Sequence, residues 1–279
     1  MLLVTLLWSM AGVVTRHLEA ARGFELSFWR SSFNALALLV LLGASRGPVL
    51  FTQLRRAECA VWLSALCWAA MFTAFMLALT LTSVGNVLVT MALGPLLTAV
   101  FARLFLQQQL EARTRLAIAV GSLGVAAMFA SEMRLGGTAS VAGLLIAFVV
   151  PVATATNYTL LQGRADADMP VAVLLGALLS AAVALPLAWP LHAGVHDLGL
   201  LALLGSFQLA VPCLLLVGVS RVLPAPEVAL IGLMETVFGT LWAWLGAGET
   251  PGRATLGGGA LVLGALVAKE CLPARRAIQ

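Results

Sequence analysis

Charge is what this 279-residue chain has least of. Asp, Glu, Lys and Arg make up 10% of it, against 61% hydrophobic residues, and the mean hydropathy is +1.03. A water-soluble domain carries roughly a quarter charged residues, so an ordinary globular protein is excluded. Lysine is nearly missing: Lys269 stands alone, and no Gly-x-x-x-x-Gly-Lys-[Ser/Thr] occurs. That excludes a P-loop nucleotide motor. The three histidines, His17, His192 and His196, sit at the ends of apolar runs, and no His-Glu-x-x-His is present. A histidine-dependent protease working at membrane depth is thereby excluded as well. His192 and His196 are four apart with Asp197 adjacent, but Pro190 and Gly194 make that segment a loop and no third ligand joins them. No metal site and no cofactor is expected. Cys59, Cys67, Cys213 and Cys271 form no Cys-x-x-Cys pair and read as small core residues. The net charge of +4 is scattered through short connections, so no nucleic-acid partner is expected.

What fills the chain instead is apolar sequence. Ten stretches approach membrane-spanning length: Leu2–Thr15, Leu26–Leu42, Ala60–Leu81, Val84–Leu106, Leu116–Ala130, Val141–Leu161, Val171–Leu191, Leu198–Val219, Glu227–Leu245 and Leu256–Ala268. A helix needs about 20 residues to cross about 30 Å of hydrocarbon. The expected fold is an all-α membrane protein of ten transmembrane helices. The first stretch follows Met1 without a positive segment, and Glu19-Ala20-Ala21 is a poor cleavage site, so it reads as a retained helix. With ten spans both termini share one side. That side collects eleven of the sixteen cationic residues, among them Arg46, Arg55, Arg56, Arg164 and Arg221; the other has Arg16, Arg22, Arg30, Arg134 and Arg253. Positive loops stay in the cytoplasm, which places both termini there.

The segments 81–106 and 221–246 look like versions of one another, about 140 residues apart. Each opens with small and polar residues and runs apolar to a mid-helix break. The breaks, Gly94-Pro95 and Glu235-Thr236, lead into aromatic-rich halves. Two five-helix halves follow, 1–135 and 136–279. An odd number of helices per half inverts the second relative to the first, so the expectation is two inverted repeats around a central cavity. Ala117, Gly121, Gly124 and Ala127 in the fifth span, and Gly257, Ala260, Gly264 and Ala268 in the tenth, provide for close helix approach; a homodimer seam is the other use of such a stripe. Pro95, Pro151 and Pro212 fall inside spans and are expected to kink or break them.

Polar residues within spans are the candidate substrate-binding groups. Glu235 comes first: a carboxylate near the bilayer centre costs about 2.5–3.5 kcal/mol, so it needs a partner or a wet cavity. Trp242, two turns on, shares nearly the same face. Arg30 and Asn34 lie one turn apart on the second span, and a guanidinium there can clamp a carboxylate. Asn86 and Thr90 are four apart on the fourth span. Asn157, Tyr158 and Gln162 cluster on the sixth, Tyr158 being the sole tyrosine. Gln208 lies on the eighth span and Trp8 on the first. Amides of this kind also serve as glue between helices. Arg16 reads as an interfacial rim residue.

Ala225-Pro226-Glu227, Leu233-Met234-Glu235-Thr236-Val237-Phe238, Trp242 to Thr250 and Leu256-Gly257 together resemble the EamA-type branch of the drug/metabolite transporter superfamily. Thr236 stands where that family usually has proline, and Gln108-Gln109 where the first repeat usually has glutamate. The resemblance implies ten helices in inverted repeats, a central cavity and alternating access. On this reading the chain is no enzyme but a secondary transporter in a bacterial inner membrane, most simply an exporter of a small zwitterionic metabolite. That metabolite is an amino acid or an amino-acid-derived compound such as an opine metallophore. The alternative is a flippase for a lipid-linked intermediate, or an accessory subunit without cargo of its own. The partners expected are the substrate and membrane lipid.

Overall fold

The computed structural model describes residues 1–107, 109, 112–135, 137–161, 168–219, 231–232 and 234–271, and all regular structure among them is helical. In order these are α1 (Leu2–Arg16), α2 (Phe24–Arg46), α3 (Val49–Arg55), α4 (Cys59–Leu81), α5 (Val84–Met91), α6 (Gly94–Phe105), α7 (Ala112–Leu135), α8 (Gly137–Leu161), α9 (Met169–Ala188), α10 (Val195–Leu203), a π-helical stretch (Leu204–Ala210), α11 (Val211–Val219), α12 (Met234–Ala247) and α13 (Arg253–Cys271). Helix is the outcome that hydrocarbon demands, since it satisfies backbone polar groups within the segment. Seven helical units among the described residues are long and apolar enough to cross a membrane: α2, α4, α5–α6, α7, α8, α9 and α10–α11. The chain is a multi-pass membrane protein. α1 and α13 are shorter apolar helices. The residues 221–230 and Leu233, in the second of the two matching segments, lie outside the described residues, as do Gln108 and Gln162.

Three apolar clusters hold the bundle together. One joins α1, α2, α4, α5, α8 and α10 through residues such as Leu26, Met76, Leu79 and Val84. A second joins α2, α4, α9 and the π stretch around Leu38, Leu174 and Leu209. The third joins α5–α6, α7, α8 and α13 around Leu96, Met128 and Val262. In helix pairs, α4 lies between α8 and α9, α2 packs on α9 and the π stretch, α1 on α12, α6 on α8, and α7 on α13. Large apolar side chains point outward, Val40, Phe105, Leu123 and Phe207 among them, as expected where the solvent is lipid.

The fourth span is broken at Gly94-Pro95, as expected: α5 ends at Met91 and Pro95 lies in the first turn of α6, where its missing N–H costs nothing. Pro151 is inside α8, as read; Pro212 opens α11 just after the π stretch. The small-residue stripe of the last helix is displaced by one position. A Cβ on Gly257 or Gly264 would meet nothing within 4 Å, whereas one on Gly258 would sit 2.7 Å from the Gly124 carbonyl and 2.6 Å from Met128. Gly124 is thus matched to Gly258, and hydropathy alone did not reveal which side of α13 faced α7.

Candidate functional site

Arg30 is the largest fully buried side chain, 2% exposed, on the second turn of α2. Its Nη2 donates to Gln208 Oε1 at 2.9 Å, and the guanidinium lies 5.4 Å from the Phe75 ring centroid. Nε and Nη1 have no hydrogen-bond partner. Gln208, on the π stretch, donates from Nε2 to the Trp8 carbonyl at 3.0 Å, so it ties α2 to α1. Asn34, one turn from Arg30, is wholly buried, and both atoms of its amide lack partners. The Trp8 indole Nε1 is likewise unpartnered. Glu235 is in the first turn of α12 and partly buried; its carboxylate and the Cys213 thiol are the groups that interact electrostatically with Arg30. A helix interior tolerates polar groups only when they are paired, because each unpaired one costs about 1–3 kcal/mol. This cluster leaves a concentration of donors unsatisfied around one cation.

Close approach makes the cluster. A Cβ on Gly205 would stand 2.6 Å from the Arg30 carbonyl oxygen and 2.8 Å from the Asn34 nitrogen. Only glycine lets the π stretch lie against α2 there. On the other side, the Ser31 and Thr73 hydroxyls each bond the Ser180 hydroxyl, at 2.9 and 2.8 Å, joining α2, α4 and α9.

Residues 1–130 match the EamA-like transporter family. The match runs from α1 into α7, so Trp8, Arg30 and Asn34 belong to the EamA-like part and Gln208 and Glu235 lie beyond it. EamA-like proteins are membrane transporters. No curated protein matches the sequence. Eleven solved chains match. One, described simply as a crystal structure of a protein, covers 99% of this chain and 96% of its own at TM-score 0.67 and 21% identity. At that identity the likeness is one of fold.

The other sequence candidates fall in several places. Trp242 donates from Nε1 to Ser9 Oγ at 3.1 Å, holding α12 to α1. Asn86 and Thr90 are buried on α5, where Asn86 Oδ1 accepts from Thr255 Oγ1 at 2.6 Å and Thr90 Oγ1 donates to the Asn86 carbonyl. They link α5 to α13 rather than join Arg30. Asn157 is buried on α8 with Oδ1 unpartnered. Tyr158, next to it, is 54% exposed on the outer face and is not brought to the cluster. Sequence reasoning passed over Ser64 and Trp68, four apart on α4, whose polar atoms are buried and unpartnered. A hydroxyl or indole in an apolar run gives little signal of its own.

Arg16 lies at the end of α1, part-exposed, and is tied to three elements there. Its Nε pairs with Glu249 at 2.8 Å, while Nη1 and Nη2 donate to the carbonyls of Leu79 and Thr82 at 2.6 and 2.8 Å. Two surface cavities lie away from all of this. One, of about 260 Å³, is lined by α6, α7 and α8 with Leu93, Leu97, Val125 and Phe148. The other, of about 310 Å³, lies beside α3 with Arg56 and Asp168.

Proposed function

We propose that this chain is a secondary transporter which exports a small zwitterionic metabolite across a bacterial inner membrane by alternating access. The fold proposed is ten transmembrane helices in two inverted halves, 1–135 and 136–279, about a central site. Packing supports the inversion. Exchanging α1 with α8, α2 with α9, α4 with α10–α11, α5–α6 with α12 and α7 with α13 turns the α1–α12 contact into α8–α6. The same exchange turns α4–α8 into α1 against the π stretch and α11, and leaves α2–α9 and α7–α13 as self-pairs.

The observation that carries the reading is the buried, half-unpartnered Arg30 beside an Asn34 with no partner at all. A carboxylate of the cargo satisfies these donors, through charge-assisted hydrogen bonds. Glu235 takes the cationic end, with Trp242 forming apolar wall. Uptake and efflux of amino acids and their conjugates by proteoliposomes is the test. Arg30→Gln and Glu235→Gln each weaken substrate binding, about thirtyfold or more, because each leaves one charge buried without its counterpart. Unchanged flux in both variants refutes the site.

The flippase reading has one observation in its favour, the apolar cavity of about 260 Å³ among α6, α7 and α8. Ser122 is the sole polar residue of its lining, so a lipid headgroup has no receptor there.

A further inference from the structure

One end of the bundle is tied shut by polar links, several of which cross between the halves 1–135 and 136–279. At the junction of α12 and α13, Glu249 presents both carboxylate oxygens to the first half. Oε2 accepts from Arg16 Nε at the end of α1, and Oε1 accepts from the backbone N–H of Val84, at 2.6 Å, where α5 begins. Arg16 spends its other two nitrogens on carbonyls at the end of α4. Beside this, Asp197 accepts from the backbone N–H groups of Glu19, Ala20 and Ala21, and Glu25 accepts from those of His192 and Ala193. At the opposite end the described residues show Arg46 paired across the halves with Asp168.

These two kinds of link differ in what breaks them. The Asp197 and Glu25 links are carboxylates on backbone amides, fixed by the turns around them. The Arg16–Glu249 link is two flexible side chains, 28% and 21% exposed, in reach of water. It also holds three elements by backbone groups that helix ends leave without a partner inside the helix: carbonyls at the end of one helix and a first N–H of the next. Releasing Glu249 therefore unties the α12–α13 turn from both Arg16 and the start of α5, with the 3.2 Å contact of His17 Nε2 and the Gly246 carbonyl left beside it.

We propose that the Arg16–Glu249 pair is the latch of this end of the transporter, closed in this structure and opened once per transport cycle. The inference rests on the transport reading above, since a latch needs a cycle to open it. When Glu249 leaves Val84 and Arg16, the first turn of α5 and the end of α1 separate from α12, and water reaches the side chains beneath, Ser9 and Trp242. Reclosure restores charge-assisted bonds, so the pair sets the balance between closed and open states without touching substrate.

Two measurements on the full chain test this. Hydrogen exchange needs no substrate. Arg16→Gln and Glu249→Gln each raise exchange about tenfold or more at residues 82–86 and 246–250. The double variant raises exchange by less than the product of the two single effects, because the changes share the Arg16–Glu249 contact. The rise extends to the amides of Gly12 and Val13 below the latch, and residues 47–55 at the opposite end keep the parent rate. No rise, or an equal rise at both ends, overturns the latch. The second measurement joins Arg16→Cys to Glu249→Cys with a reducible bifunctional thiol reagent in proteoliposomes. Flux stops when the pair is joined and returns on reduction; the parent chain treated alike is unaffected. Flux that continues through the joined pair shows a permanent tie and overturns the proposal while the transport reading stands. A parent that moves no zwitterion refutes the transport reading, and exchange still decides whether this end is latched.

Discussion

Asn34 is the residue at which stability and function separate. It is fully buried and neither its donor nor its acceptor is satisfied. A side chain kept only for packing gains from losing such an amide, because an apolar group of similar shape removes the desolvation cost. Asn34→Leu is expected to hold or raise the thermal unfolding midpoint in detergent, by up to about 1–3 kcal/mol of stability, and to lower flux in proteoliposomes. A lowered midpoint with flux intact would make Asn34 an ordinary helix-packing residue. The sequence marked Asn34 and Arg30 as polar residues one turn apart in an apolar run, and that much was legible. The partner that orients Arg30 was not: Gln208 is 178 positions away. Nothing in the sequence distinguishes an amide that bridges two helices from one that waits for a ligand. Arg16 shows the same limit, since a charge at a helix end is an interfacial anchor by default until Glu249 is placed beside it.

Elements were read well along their axes and poorly around them. The stretch Ala60–Leu81 became α4 at Cys59–Leu81, and Leu2–Thr15 became α1 at Leu2–Arg16, because loss of hydropathy marks where a helix leaves hydrocarbon. Helix α3 was missed, being seven residues long, and so was the π stretch, whose wider turn leaves no trace in composition. Rotation about the axis escaped because these helices are apolar on every side, and small residues alone decide which face packs. Gly205 and Gly257 show the difference. Gly205→Ala pushes the π stretch off α2 and is expected to cost about 1–3 kcal/mol, with flux falling as Arg30 and Gln208 part. Gly257→Ala meets open space and is expected to leave the midpoint unchanged or up to about 1 kcal/mol more stable, through helix propensity. Thermal unfolding of the two purified variants side by side checks the order; equal losses would mean that the approach at Gly205 does not hold these helices.

At the scale of the whole molecule, the direction of each helix follows from the links at its ends. Arg16 closes α1 beside Glu249, and α13 starts a few residues later at Arg253, so Met1 and the far end of α13 both lie at the Arg46–Asp168 end of the bundle. An even number of crossings is what returns a chain to the side it left. Which side that is depends on charge. Eleven cationic residues read onto the side of the termini and five onto the other, and one of those five, Arg30, is buried in the bundle and belongs to no loop. Removing it sharpens the asymmetry that orients such proteins. Both termini are therefore expected in the cytoplasm. A green fluorescent protein fused after Gln279 should fluoresce in cells and alkaline phosphatase fused there should be inactive, with the opposite pair of results for fusions placed after Glu249. Phosphatase activity at both positions would require an odd number of crossings before Gln279, and two inverted five-helix halves would no longer describe the chain.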